Sequence, residues 1–378
     1  MSSIKKIFII SSVLLSAVLF LGGVYFFVFR NSSSNEDSES LKVANEKIDS
    51  LRNSIITPAS SRPVLAPILT EDGLHIEYYS KDNGQVYKND LNGEAEEAIS
   101  QKELPGLIDV FWSPDKKKAI TKFKKSNGEI QFFYYNHDTK ASLPLKSNLD
   151  MVVWQNNNKI LYKYFNPVTK ERTLNISDPD GKNWTKIANL DFKNINIASV
   201  PLSGLISFWN QPDAFTETSF KTASMLGENK QTLFSGSFGT DYLWSGDGNR
   251  ILASSSDKKG GSQISLFVMN NSGGDLKKLD VPTFTAKCVW SKDNKTIYYA
   301  LPGGIQDNLI LPNDYLSGKI KTTDTFWKIN VLTGEKTRII DLDKITASFD
   351  AVKMFLNSDE SLLFFINRLD DKLYKITL

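Results

Sequence analysis

The pattern of apolar and polar positions changes character twice along this 378-residue chain. Residues 7–29, IFIISSVLLSAVLFLGGVYFFVF, are a run of 23 without a charge. At about 1.5 Å per helical residue, such a run crosses a hydrocarbon core of about 30 Å. Residues 31–40, NSSSNEDSES, are polar and acidic and read as a flexible spacer. Leu41, Ala44, Ile48 and Leu51 then recur at steps of three and four, which predicts one apolar face of a short stalk helix. Two heptads are too few for a convincing coiled coil, so the expectation is a monomer or a weak stalk-mediated dimer.

Beyond the stalk the period shortens to that of strands, and a longer repeat is laid over it. Five segments align: LTEDGLHIEYY from Leu69, WSPDKKKAITKF from Trp112, WQNNNKILYKYF from Trp154, WSGDGNRILASS from Trp244 and WSKDNKTIYYAL from Trp290. SVPLSGLISFWN from Ser199 and FLNSDESLLFFI from Phe355 are weaker copies. The first six anchors are 42 to 46 residues apart and the last gap is 65, so the sixth unit carries an insertion of about 20 residues relative to the propeller period. Seven anchors imply seven units.

Within a unit an apolar strand ends in Trp, an S-x-D-G/N/K turn reverses the chain, and a β-branched or aromatic strand returns, as in KILYKYF and TIYYAL. A third strand such as IQFFYYN or SLFVMNN and a short fourth such as KKLDV complete an antiparallel sheet of four. A lone sheet of this kind leaves two apolar faces bare, and packing each against a neighbour around an axis buries both. The last unit, from about Lys353, has three strands, and residues 54–57, SIIT, can supply the fourth and close the ring. The fold class is therefore all-β: a seven-bladed β-propeller of four-stranded antiparallel blades preceded by one N-terminal transmembrane helix. The expected division is 1–30 for cytoplasmic tip and membrane helix, 31–53 for linker and stalk, and 54–378 for the propeller, with the insertion at 301–324.

The W-S-P-D, W-S-G-D-G and W-S-K-D-N turns, with the strands that follow them, resemble TolB-type, WD-repeat-like blades common in bacterial envelope proteins, over roughly residues 54–378. The resemblance implies that the loops between second and third strands share a rim with the loops between blades, and that this rim binds. On that rim fall FNPVTKER (165–172), NQPDAFTE (210–217), SSDKKGGS (255–262) and the insertion. Candidate contacts are Arg172, Trp209, Asp213, Asp307, Asp314 and Tyr315. A loop this long in a compact domain is often functional, as a lid over the axial channel, while a hairpin packed on the rim is the plainer reading.

Charge and composition remove other classes. A net charge of +2 gives no basic excess for nucleic acid, and the Lys116–Lys118 triplet reads as a solvated turn. Cys288 is the only cysteine, so no intramolecular disulfide forms; His75 and His137 are the only histidines and read as ordinary polar residues of a strand or turn. Asp178, Asp180 and Asn183 look like the start of a calcium loop but lack its glutamate and match a blade turn. There is no G-x-S-x-G elbow and no phosphate loop, so no catalytic residue, metal or cofactor is expected. Lys5 and Lys6 before the apolar run, with Glu36, Asp37 and Glu39 after it, keep the N-terminus cytoplasmic and put the propeller outside. The expected function is a membrane-tethered module that binds a protein, peptide or glycan of the envelope. A hydrolase or lyase using channel carboxylates is the alternative.

Overall fold

The computed structural model of the protein describes residues 55–378. Among these residues no helix is long and apolar enough to cross a membrane; the run at 7–29 and the stalk at 41–51 lie outside them. Seven separate four-stranded antiparallel sheets follow one another along the chain. Blade 1 comprises β2 (Val64–Leu69), β3 (His75–Ser80), β4 (Val86–Asp90) and β5 (Glu97–Ala98); blade 2 comprises β6 (Leu107–Trp112), β7 (Lys118–Lys124), β8 (Ile130–Asn136) and β9 (Ser142–Pro144). Blade 3 runs from β10 (Leu149–Asn156) through β11 (Lys159–Phe165) and β12 (Arg172–Ser177) to β13 (Thr185–Asn189), and blade 4 from β14 (Ile195–Ser199) through β15 (Leu205–Asn210) and β16 (Glu217–Ser224) to β17 (Gln231–Phe238). Blade 5 has β18 (Asp241–Trp244), β19 (Arg250–Ser256), β20 (Ile264–Asn270) and β21 (Lys277–Lys278). Blade 6 has β22 (Cys288–Trp290), β23 (Thr296–Gly303), β24 (Thr323–Asn330) and β25 (Lys336–Arg338).

The seventh sheet joins the two ends of the described chain. Its order is β1 (Ile56–Pro58), β28 (Leu373–Thr377), β27 (Leu362–Asn367) and β26 (Ala351–Leu356). Ile56 faces Ile376, Thr57 faces Lys375 and Pro58 faces Tyr374. The strand sits slightly later than 54–57, and Pro58 is tolerated because it ends an edge strand, where a missing N–H costs no ladder bond.

The core is divided among the gaps between blades. Each of seven buried clusters draws on two neighbouring sheets; Ile120 and Phe132 of blade 2, for example, meet Val152 and Ile160 of blade 3. The repeated Trp explains the register of these gaps. Trp112 Nε1 donates to the Ala66 carbonyl (2.9 Å), Trp154 to Phe111 (2.8 Å) and Trp290 to Leu243 (3.4 Å), each on the preceding blade's inner strand. Trp244 donates instead to Ser207 Oγ at 2.9 Å, in blade 4, whose own anchor lacks the Trp. The turns are stitched in the same order around the ring: Asp115 N–H donates to Asn157 Oδ1 (2.9 Å), Asp247 N–H to Asn294 Oδ1 (3.2 Å) and Lys292 N–H to Glu360 Oε1 (2.6 Å). In two of these turns the Ser hydroxyl donates to the turn's own Asp and holds the reversal, Ser113 to Asp115 at 2.5 Å and Ser245 to Asp247 at 2.6 Å, whereas the Ser291 hydroxyl donates across to Glu360 Oε2 at 2.8 Å.

The excursion in blade 6 is shorter than its sequence suggests. Pairs Leu301–Thr325, Pro302–Asp324 and Gly303–Thr323 extend the β23–β24 ladder, so the irregular part is 304–322, containing the single-turn helix α1 (Asn313–Leu316).

Ile56 is 3% exposed, against Phe365 and Ile376. Ile56→Ala should therefore destabilise the propeller by about 2–4 kcal/mol. Equilibrium denaturation measures it, and a loss below about 1 kcal/mol would show that closure does not depend on this strand.

Candidate functional site

The 304–322 excursion is fastened to the rim on several sides. Leu309, Leu311 and Tyr315 pack with Ile264 of β20 and with Phe284, whose ring stacks on Tyr315 at 4.3 Å. Asn313 bridges to the β15–β16 loop: its Nδ2 donates to Asp213 Oδ1 (2.9 Å) and its Oδ1 accepts the Ala214 N–H (2.8 Å). Leu311 N–H donates to the Gly261 carbonyl (2.9 Å), and its own carbonyl accepts the Ser256 hydroxyl. Arg368 Nη2 donates to the Tyr315 carbonyl (3.2 Å). One strap thus joins blades 4, 5, 6 and 7.

Under it lies a buried charge cluster. Lys287 Nζ, wholly inaccessible, contacts Asp324 Oδ2 (2.6 Å) and Asp350 Oδ1 (2.8 Å), and also bonds Thr322 Oγ1 and the Ala351 carbonyl. The Tyr315 hydroxyl donates to Asp350 Oδ1 (2.8 Å), and Arg368 Nη1 lies 3.3 Å from Asp350 Oδ2. Burial pushes the Asp324 carboxyl up in spite of Lys287. For Asp350 burial acts the same way but is outweighed by Lys287, Tyr315 and Arg368, which hold it below the usual range. Two carboxylates do converge here, but neither has exposed surface to offer a substrate.

The structure scatters the six residues singled out from the sequence. Tyr315 is buried, and Trp209 is buried with Nε1 donating to Asp241 Oδ1 at 2.9 Å. Asp213 is engaged by Asn313, the Phe215 N–H and Thr216; Asp314 accepts the Ile310 N–H and pairs with Lys319 (2.9 Å). Both are thereby held below the ordinary carboxylate range. Arg172 lies over the Phe165 ring at 5.0 Å, and Asp307 is exposed. Asp213, Asp314 and Tyr315 thus help assemble the strap and its anchor on blade 4, whereas Trp209 lies in the core between blades 4 and 5. Among the described residues no group of three or more His, Cys, Asp or Glu could hold a metal ion.

A cleft of about 500 Å³ opens elsewhere, between blades 1 and 2. Its origin is strand alternation. On β7 and β8, Ile120 and Phe132 face blade 3, whereas Thr121, Phe123, Gln131, Phe133 and Tyr135 face blade 1. Blade 1 covers that face incompletely, because its outer strand β5 is only Glu97–Ala98. The linker to blade 2 forms the far wall with Leu104 and Pro105. It is pinned by Leu104 N–H to the Asn83 carbonyl and Lys124 N–H to the Gly106 carbonyl, both 2.8 Å. Gly106 has φ +81°, and a Cβ there would meet the Lys124 carbonyl at 2.7 Å, so the linker's close approach requires glycine.

Phe123 and Phe133 meet edge to face at 5.4 Å on the cleft wall. Deeper in, His137 stacks on Trp112 at 4.7 Å, meets Tyr135 edge-on, and shares a hydrogen bond of 3.2 Å with the Tyr79 hydroxyl. Burial, helped by Lys140, lowers the His137 pKa to about 4. At neutral pH the ring is uncharged, and positive charge in the cleft comes from Lys102, Lys124, Lys125 and Lys140, all exposed. No Asp or Glu lines it. The alternation Gln131, Phe133, Tyr135, His137 is visible in the sequence, but Phe132 and Tyr134 give the opposite face the same aromatic character, so it does not by itself mark this one.

Two consequences are measurable. Lys287→Met leaves Asp324 buried without a cation and Asp350 with Arg368 alone, and should cost about 3–5 kcal/mol in chemical denaturation, with a near-neutral result excluding the cluster as a structural centre. His137 binds a proton more readily unfolded, near its ordinary pKa of about 6.5, than folded, so its contribution is full above that value and is lost as pH falls toward 4. His137→Gln should therefore flatten the decline in Tm between pH 7 and 4.5, and parallel wild-type and variant curves would contradict this.

No family model and no curated protein matches the sequence. Among solved structures, an oligogalacturonate lyase in complex with manganese is similar over 85% of this chain and 93% of its own, at 14% identity and TM-score 0.61. The oligogalacturonate lyase of Vibrio parahaemolyticus is similar over the same shares at 11% identity and TM-score 0.60. TolB of Acinetobacter baumannii matches 56% of this chain and 53% of its own at 17% identity, with TM-score 0.41. At these identities the lyase likeness speaks to fold alone, and with the strand pairing it identifies the chain as a seven-bladed β-propeller of four-stranded antiparallel blades.

Proposed function

We propose that the chain is a binding module of the cell envelope, held to a membrane by residues 7–29 with its propeller outside the cytoplasm, and that it engages a protein, peptide or glycan through the cleft between blades 1 and 2. The cleft carries the reading: it is concave, aromatic and lysine-lined, with no carboxylate of its own. The uncharged run behind Lys5 and Lys6 supports the tether. The alternative of a hydrolase or lyase acting through channel carboxylates has less support, because Asp324 and Asp350 are already spent on Lys287. A ring with a buried cluster at every blade junction suits presentation of a preformed ligand site.

Crosslinking the full-length chain on intact spheroplasts with a membrane-impermeant reagent tests both halves of the proposal. Wild type should capture a reproducible set of envelope partners, and Lys102→Glu/Lys124→Glu/Lys140→Glu should lower that capture at least tenfold. No capture from the outside, or equal capture by the variant, would refute the reading.

A further inference from the structure

We infer that the cleft between blades 1 and 2 binds a small amphipathic anion: a flat apolar or aromatic body placed against Phe123, Phe133 and Tyr135, with a carboxylate or sulfonate held by Lys102, Lys124 and Lys140. This rests on the preceding reading only in treating the cleft as the ligand site. The volume of about 500 Å³ falls in the range of small-molecule pockets, and the lining is mainly hydrocarbon and aromatic with polar groups at its edge.

The sign of the charge follows from what the lysines lack. Lys125 is paired with Glu129 at 3.1 Å, but among the described residues no carboxylate forms an ion pair with Lys102, Lys124 or Lys140. Three ammonium groups around one apolar cleft favour an anion and disfavour a cation by the same interaction. His137 adds no positive charge at neutral pH, since burial keeps it neutral.

The nature of the body follows from the hydrogen-bonding capacity of the wall. Gln131 is buried, and its Nε2 is spent on the Phe132 (3.0 Å) and Leu145 (2.7 Å) carbonyls. The Tyr79 hydroxyl is engaged with His137, and Ser100 Oγ accepts the Lys102 N–H. An aromatic ring finds edge and face contacts with Phe123 and Phe133, whose rings stand on this wall. Because the linker wall is fixed by backbone bonds at Leu104 and Gly106, the site is formed before the ligand arrives, and little ordering opposes binding.

The test uses the full chain in zwitterionic nanodiscs, with empty nanodiscs as control, and calorimetric and NMR saturation-transfer titrations of three probes: naphthalene-2-carboxylate, naphthalene-2-sulfonate and 2-naphthylmethylamine. Both anions should bind saturably and at least tenfold more tightly than the amine, and their affinity should fall with added salt. Lys124→Gln/Lys140→Gln, exposed positions that leave the fold intact, should weaken the anions at least fivefold with Tm unchanged. Phe133→Ala should weaken both anions and remove the saturation transfer to the naphthalene ring. Equal binding of the amine, no saturable binding of either anion, or anion affinity unmoved by the double lysine variant would overturn the inference. Partner capture on spheroplasts without probe binding would sink the anion assignment alone, and probe binding without capture would sink the tethered-module reading alone.

Discussion

The indole N–H reaching back to the preceding blade is the contact on which the arrangement of this propeller depends. Burial of apolar surface between sheets is strong but non-directional, and it would tolerate sliding of one blade past the next. A hydrogen bond from Trp112, Trp154, Trp244 or Trp290 fixes that offset, because each indole meets one atom of the neighbouring sheet. The second row of bonds, from turn to turn, fixes it again at the rim. Repetition in the sequence therefore encodes both the blade and the joint between blades.

With the joints fixed, the two sides of the molecule handle charge differently. On the strap side, carboxylates and cations from blades 6 and 7 neutralise one another under 304–322, and desolvation is offset by a full set of hydrogen bonds around Lys287. At the cleft, the lysines remain exposed and the aromatic residues are left partly open. The first arrangement holds the fold together; the second retains the capacity to interact with something outside it.

The repeat was legible because its signals are local: Trp, the Ser–Asp turn and the returning strand lie within a dozen residues of one another. The fate of the insertion was not, because Lys287, Asp324 and Asp350 are far apart in sequence and meet only where blade 6 packs against blade 7. Length alone marked Asp314 and Tyr315 as accessible candidates, whereas the fold spends the first on Lys319 and the Ile310 N–H and buries the second against Phe284. The cleft was half visible. Both faces of IQFFYYN are aromatic, so alternation could not tell the covered face from the open one. That distinction comes from the two-residue length of β5, a boundary that pattern reading does not resolve.

Closure through β1 also has a mechanical side. Residues 1–54 run directly into Ile55 and the strand that follows it, so any tension they transmit enters the ring at the β1–β28 ladder, three residue pairs long. Every other blade has all its strands from one continuous stretch of chain and is loaded only through its neighbours. Under a pull the first element to yield is therefore the clasp. Its release would bare the edge of β28 and the apolar bed of Ile56 while the other six sheets keep all four of their strands.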